Sequence, residues 1–171
     1  DTAIFYSISN CHQGLTGVPL GDLLIKQVVQ QLSAELPNLT TFSTLSPIPG
    51  FRSWLDKHLG DPDLLTEPER AVLSAGAPAL AADAFAALLK QPLPQAAALV
   101  DPARPALLRL AARYLTVERR EARALDPVAN FHLSNGSRVE RINWWANPSA
   151  AGWQQSFGPM VNSRYRPEWI E

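Results

Sequence analysis

The chain reads as an α/β fold: a mixed sheet entered by a βαβ unit, interrupted by an inserted helical segment and closed by a carboxyl-terminal β-hairpin. Three observations predict this. A β-branched and aromatic run at the start is followed by a glycine-rich turn and by apolar residues at helical spacing. An alanine- and leucine-rich stretch broken by prolines occupies 54–120. An Asn135-Gly136 pair then separates two runs of strand length.

Ala3-Ile4-Phe5-Tyr6-Ser7-Ile8 has little polar relief, the composition of an inner strand buried on both faces. Gln13 to Gly21 is too glycine-rich for regular structure. Asp22 to Leu36 then places Leu24, Ile25, Val28, Val29, Leu32 and Leu36 along one helical face. Pro37-Asn38 ends that helix, and Leu39 to Leu45 is a second strand, returning parallel to the first by a right-handed crossover. Two prolines in Ser46-Pro47-Ile48-Pro49-Gly50-Phe51 forbid the ladder from continuing.

Three or four short helices are expected in 54–120. Thr66-Glu67-Pro68-Glu69 has capping-box spacing, and Asp101-Pro102 sets a cap residue before a proline suited to the first helical position. The alanines have no fixed period, so a solenoid is not indicated. Farther on, Val128–Ser134 and Ser137–Trp145 are read as hairpin strands about a type I′ turn. That register opposes His132 to Val139, Asn130 to Arg141 and Val128 to Asn143. One face would carry Asn130, His132, Ser134, Ser137, Arg141 and Asn143, and the other Phe131, Leu133, Ile142 and Trp144. Gly158 to Asn162 and an irregular tail close the chain.

Of the 171 residues, 15 are Lys or Arg and 16 Asp or Glu, a net charge of -1. Without a basic block there is no electrostatic case for gripping nucleic acid. A hydrophobic content of 46% excludes wholesale disorder. No apolar run approaches the roughly 20 residues of a membrane span, so a soluble, cytoplasmic protein with no membrane partner is expected. The lone Cys11 allows no internal disulfide, and His12, His58 and His132 lack metal-ligand spacing, so no metal is expected. His12 and His58 have no supporting context and read as surface residues.

Two places point to chemistry. Between strand and helix, Gly17 and Gly21 would let backbone N–H groups approach a ligand, and the helix start at Leu20 to Asp22 adds partial positive charge. That would make a phosphate cradle, or simply a turn that lets the helix pack closely. It is neither a Walker loop nor a dinucleotide fingerprint. Ser46 stands at the carboxyl end of a parallel strand, where open α/β sheets place ligands, and His132 centres the polar face of the expected hairpin.

Thr16-Gly17-Val18-Pro19-Leu20-Gly21 followed by Leu24-Ile25 resembles the pyrophosphate loop of the GNAT acyltransferases, which bind coenzyme A. Pro19 and Thr16 stand where those loops often carry Gly and Arg. A closer resemblance rests on five motifs in order: Phe5-Tyr6-Ser7-Ile8-Ser9, Gln13-Gly14-Leu15, Leu45-Ser46-Pro47-Ile48-Pro49-Gly50-Phe51, Asn130-Phe131-His132-Leu133 with Asn135-Gly136, and Arg141-Ile142-Asn143-Trp144. Over residues 3–56 and 126–162 these resemble the malonyl-CoA decarboxylases. Ser163-Arg164-Tyr165 departs from the aromatic ending associated with that family.

The resemblance implies a GNAT-like catalytic domain that removes CO₂ from malonyl-CoA to leave acetyl-CoA. It casts Ser46 as proton acceptor and His132 as proton donor, with coenzyme A held by Thr16, Gly17, Val18, Pro19, Leu20, Gly21 and Asp22. Arg141 and Asn143, on the His132 face by register, are expected to orient the histidine or touch substrate. No cofactor is expected beyond the coenzyme A of the substrate, because the thioester carbonyl accepts the electrons released with CO₂. A nucleophilic serine would want a third residue orienting the histidine, and no acid is evident for that role. Acid–base assistance is therefore the reading. The alternatives are a GNAT-type acyltransferase with an amine acceptor and a non-catalytic CoA-binding fragment. An inner strand at residue 3 needs neighbours, and the resembled family carries a helical domain ahead of the catalytic one. The 171 residues are thus expected to form the carboxyl-terminal part of a catalytic domain, completed by an amino-terminal segment or further subunits, and to oligomerise and show little activity alone.

Overall fold

A computed structural model describes residues 1–6, 20–74, 81–93 and 100–166, with side chains in the first helix from Leu24 onward. The βαβ unit is present. Strand β1 (Thr2–Phe5) runs parallel to β2 (Thr41–Thr44), with Ala3 opposite Phe42, and helix α1 (Leu20–Glu35) lies between them in sequence. Helix α1 has no proline and only Gly21, in its first turn, so propensity does not break it. Ile25 and Val29, four apart, share one face and are buried.

The expectation that β1 is buried on both faces is corrected. Its residues alternate between exposed and half-buried, and among the described residues it pairs only with β2. An apolar run records what a strand can tolerate, whereas its neighbours decide what is covered.

Helices α2 (Phe51–His58), α3 (Glu67–Ser74) and α4 (Ala81–Lys90), a 3₁₀ turn (Asp101–Ala103) and α5 (Arg104–Thr116) make up the helical segment. Half of the expected capping box forms, the Thr66 N–H donating to Glu69 Oε2 at 2.9 Å. A short hairpin follows, β3 (Arg119–Arg120) against β4 (Arg123–Ala124).

The larger hairpin does not form. Pro127–Ser134 is helix α6, and β5 (Ser137–Asn143) follows it. Asp126 caps this helix: Oδ1 accepts the N–H groups of Val128 at 3.0 Å and Ala129 at 2.9 Å, and Pro127 takes the first turn, where a missing N–H costs nothing. Asn135-Gly136 ends the helix instead of turning a hairpin. Gly136 has φ 78°, and its N–H and that of Asn135 return to the Leu133 and His132 carbonyls. Asn135 has φ -98°, whereas a type I′ turn needs positive φ at both positions. The predicted pairings of residues 128–134 with β5 are therefore absent, and so is the polar face built on them.

The partner of β5 comes from residues 160–165, a stretch not expected to form a strand. After α7 (Ala150–Ser156), Met160–Tyr165 forms β6, an inner strand antiparallel to both β2 and β5. The sheet order among described residues is β1-β2-β6-β5. Along β6 burial alternates: Val161, Ser163 and Tyr165 are buried, while Asn162 and Arg164 are half-buried.

Two hydrophobic clusters result. The larger gathers Phe51, Leu55, Phe85, Leu107, Leu110 and Tyr114 from the helical segment with Phe157, at the end of α7, and Val161 of the sheet. The smaller is Ile25, Val29, Phe42 and Tyr165 beneath α1. Helix α6 lies at the seam, with Ala129 in the larger cluster and Phe131 packed on the smaller.

Candidate active site

Ser46 is held by backbone. Two residues beyond β2 it forms an isolated antiparallel bridge, its N–H donating to the Val161 carbonyl and its carbonyl accepting the Val161 N–H, both at 2.9 Å. Pro47 then removes the next donor, so the chain must leave the ladder there. His132 reaches Ser46 from α6, six residues past the Asp126 cap.

The two side chains meet across a sequence separation of 86. His132 Nε2 lies 3.2 Å from Ser46 Oγ. The other ring nitrogen, Nδ1, lies 2.8 Å from the Tyr165 hydroxyl. On the far side, Ser46 Oγ is 3.1 Å from Thr44 Oγ1, which also accepts the Ser163 N–H at 3.1 Å. Thr44, Ser46, His132 and Tyr165 thus form one buried line, none more than 6% exposed.

Burial governs its electrostatics. Desolvation depresses the His132 pKa from 6.5 to about 4, so the imidazole of the free protein is neutral at pH 7. The histidine expected as proton donor is thus, in the free protein, a neutral ring that carries one proton. A neutral ring has one N–H and one lone pair, which permits two consistent arrangements. In one, Tyr165 donates to Nδ1, Nε2–H donates to Ser46, and Ser46 donates to Thr44. In the other every proton is shifted by one place, and Ser46 donates to Nε2. The line can therefore present a proton, or a proton acceptor, at the Ser46–His132 contact.

The other expected site residues divide. Asn143 Nδ2 donates to Asn162 Oδ1 at 2.7 Å, and Asn162 Nδ2 donates to the Thr44 carbonyl at 2.6 Å, so Asn143 touches the line through Asn162 and β2 rather than through the histidine. Arg141 is exposed on β5, and its expected place on a shared hairpin face with His132 is lost with that hairpin. Leu20, Gly21 and Asp22 lie in the first turn of α1. Thr16, Gly17, Val18 and Pro19, with Cys11 and His12, lie outside the described residues, as do the side chains of Leu20 to Asp22. His58 keeps a local partner, Nδ1 lying 2.7 Å from the Trp54 carbonyl.

Sequence reasoning missed Thr44, Asn162 and Tyr165. The third residue sought beside the histidine is a phenol, not an acid. Its one signal was the alternation Val161, Ser163, Tyr165, which polar side chains concealed. Among the described residues no group of three or more His, Cys, Asp or Glu is placed to hold a metal, and no helix is long and apolar enough to cross a membrane.

Similarity to known proteins extends over the same ground. Mitochondrial malonyl-CoA decarboxylase of Anser anser anser is 46% identical over 176 residues, covering 96% of this chain and 34% of that protein. The mitochondrial malonyl-CoA decarboxylase of Mus musculus is 44% identical, covering 95% and 35%. Two solved structures, the malonyl-CoA decarboxylases of Agrobacterium vitis and Cupriavidus metallidurans, superpose with TM-scores of 0.80 and 0.79 at 43% and 41% identity. Each covers 99% of this chain, which in turn covers 39% and 43% of theirs. The chain spans about a third of the length of the curated relatives it matches. The family described as malonyl-CoA decarboxylase C-terminal domain matches residues 1–171, and the chain belongs to it.

Proposed function

We propose that this chain supplies the decarboxylating centre of an enzyme that converts malonyl-CoA to acetyl-CoA and CO₂, with Ser46 and His132 as its acid–base pair. The observation that carries the reading is the buried 3.2 Å contact between Ser46 Oγ and His132 Nε2, which joins two segments 86 residues apart. Backbone N–H groups at the start of α1 would hold the coenzyme A phosphates, in keeping with the helix beginning at Leu20.

The substrate brings the charge that the free site lacks. A malonyl carboxylate accepting a hydrogen bond from Ser46 sets a negative charge beside an imidazole that burial keeps neutral, and that charge raises the imidazole pKa so that a proton is taken up with the substrate. The bond from the α-carbon to the carboxylate carbon then breaks. CO₂ leaves, and the electron pair passes into the thioester carbonyl as an enolate. His132 returns its proton to the α-carbon, which restores the carbonyl and leaves both partners uncharged. Tyr165, at Nδ1, fixes the ring plane through both transfers. One proton is consumed for each CO₂ released, and the electron sink is the thioester itself.

The test is incubation of the full-length protein with malonyl-CoA, following acetyl-CoA and CO₂ together. Equal yields of the two are expected. Coenzyme A binding without either product would support the non-catalytic reading, and acyl transfer to an added amine would support the acyltransferase. Since the chain covers a third of its relatives, we propose that an amino-terminal segment or further subunits complete the active particle.

A further inference from the structure

We propose that Thr44 is a positioning residue that sets the direction of the Ser46 hydroxyl: a backbone N–H of β6 occupies Thr44 as an acceptor, so Thr44 donates to Ser46 Oγ and turns the Ser46 proton toward His132 Nε2. The inference deepens the decarboxylase reading and rests on it for its kinetic test, but on hydrogen-bond geometry for its substance.

The sheet is interrupted at this residue. Phe42 opposite Tyr165, Ser43 opposite Arg164 and the bridge of Ser46 to Val161 keep one register, which would set Thr44 opposite Ser163. The ladder skips that pair. The Ser163 N–H donates at 3.1 Å to Oγ1 of the Thr44 side chain, while the Thr44 carbonyl accepts Asn162 Nδ2 at 2.6 Å. A side-chain oxygen has thus taken a backbone donor that an unbroken antiparallel ladder would send to a carbonyl. Side chains two apart on a strand share a face, so Oγ1 also meets Ser46 Oγ, 3.1 Å away. Thr44 is 1% exposed and Ser46 6%, so water has little access to either hydroxyl.

The donors at this end fix a direction. A threonine hydroxyl has one proton and two lone pairs. If Ser46 donated to Thr44, both lone pairs would be filled, by Ser46 and by the Ser163 N–H. The Thr44 proton would then have no acceptor, since among the described residues Oγ1 has no other polar contact, and the buried Ser163 hydroxyl has no partner at all. A buried donor left without an acceptor costs the desolvation of that group. If Thr44 donates to Ser46 instead, each group is used in turn: Ser163 N–H to Thr44, Thr44 to Ser46, and Ser46 to His132 Nε2 at 3.2 Å. The Nδ1–H then donates to the Tyr165 hydroxyl at 2.8 Å, and Tyr165 has a further interaction beyond the ring. Of the two arrangements open to the line, the Thr44 end selects the one in which the free histidine offers a lone pair at Nε2. A malonyl carboxylate that draws the Ser46 proton to itself leaves that lone pair bare beside a negative charge, where the proton later given to the α-carbon is taken up. Donation from Thr44 holds the Ser46 oxygen meanwhile, and a hydroxyl that accepts a hydrogen bond is the stronger donor.

The direction and the positioning are tested separately. In the full-length protein carrying ¹⁵N in its histidine rings, the His132 signals are identified by their absence from His132→Ala. At pH 7 without substrate they should show Nδ1 protonated and Nε2 bare. A protonated Nε2 would mean that Ser46 donates to Thr44 and would overturn the proposal. Thr44→Val keeps the branched shape and deletes the hydroxyl; kcat on malonyl-CoA should fall about tenfold with KM little changed, since small misplacements of reacting groups are costly. Thr44→Ser, which returns the hydroxyl, should bring kcat back to within about twofold of wild type. In a Ser46→Ala background Thr44→Val should change the residual kcat by less than about twofold, because coupled groups do not add. If Thr44→Val does not fold, Thr44→Cys, whose thiol is a weak donor, should lower kcat in the same sense. Wild-type kcat in a folded variant without the hydroxyl, no recovery in Thr44→Ser, or equal losses with and without Ser46 would reduce Thr44 to an acceptor for the Ser163 N–H and overturn the proposal. Should the wild-type protein leave malonyl-CoA unchanged, the decarboxylase reading fails, and the ring spectrum still decides which way the Ser46 proton points.

Discussion

The two sides of the α6 seam are built differently. On one side, α2, α4, α5 and α7 close over a cluster in which Phe51, Leu55, Phe85, Leu107 and Leu110 are essentially inaccessible. On the other, among the described residues, Ile25, Val29, Phe42 and Tyr165 alone are buried beneath α1, with Ile4, Leu24 and Leu36 exposed around them. His132 stands between the two. Its helix is anchored in the first by Ala129, and its ring is aligned from the second by Tyr165. The lesson is that a site at such a seam takes its backbone position from the larger cluster and its side-chain orientation from the smaller one.

The largest effect should come from removing the pair that spans the seam. Ser46→Ala and His132→Ala in the full-length protein should each lower kcat by ~10²–10⁴-fold, the usual contribution of a general acid or base. Circular dichroism should show the fold retained. Wild-type turnover in either variant would remove that residue from the chemistry.

Next comes the contrast in packing. Leu110→Ala, in the larger cluster, should destabilise by about 2–5 kcal/mol through lost burial plus a cavity that dense neighbours cannot fill. Val29→Ala, in the smaller cluster, removes less apolar surface at a site that collapses more easily, so about 1–2 kcal/mol is expected. Urea titration of both variants measures the difference. Equal losses would show that the two sides are one body.

Acid should act on the seam through His132, whose folded pKa of about 4 lies below its unfolded value of 6.5. As pH falls, the unfolded chain takes the proton first. The stability contributed by the neutral imidazole is therefore complete above about pH 6.5, lost progressively down to about pH 4, and level below that, a change of about 3 kcal/mol. His132→Gln should flatten the stability profile across that window. A profile parallel to wild type would show that the histidine is not buried neutral.

The smallest expected effect is that of Tyr165→Phe, which keeps the ring in the smaller cluster and deletes the bond to Nδ1. A net hydrogen bond is worth about 1 kcal/mol, so stability should fall by about that much, and the same loss at the histidine corresponds to roughly three- to tenfold in kcat. If stability falls and kcat does not, Tyr165 is a packing residue only.

The βαβ unit, the stop at Pro47 and the capping of α3 at Thr66 were all legible from residues a few positions apart, because each is decided by local sterics and local hydrogen bonds. The α6 segment was misread although its start carries the cap-before-proline signal that was expected at Asp101-Pro102, where the structure instead has a 3₁₀ turn with Val100 at its N-cap and no side-chain cap. Asn135-Gly136 outweighed it. A positive φ at glycine serves a helix end and a hairpin equally well, and only the availability of a better partner for β5 distinguishes them. That partner, β6, was hidden because Asn162, Ser163 and Arg164 give an inner strand a polar sequence.

By itself, then, the sequence determined the strand–helix–strand entry and the departure of the chain at Ser46, and the family resemblance singled out Ser46 and His132 as the candidate acid–base pair. Tertiary structure decided that His132 projects from a helix, that Nε2 meets Ser46 and Nδ1 meets Tyr165, and that the ring is neutral. The physical reason is range. Propensity, capping and proline sterics act within a few residues, whereas a 3.2 Å contact between positions 86 apart, and the desolvation that sets its protonation, exist only when the two clusters have packed against opposite sides of α6.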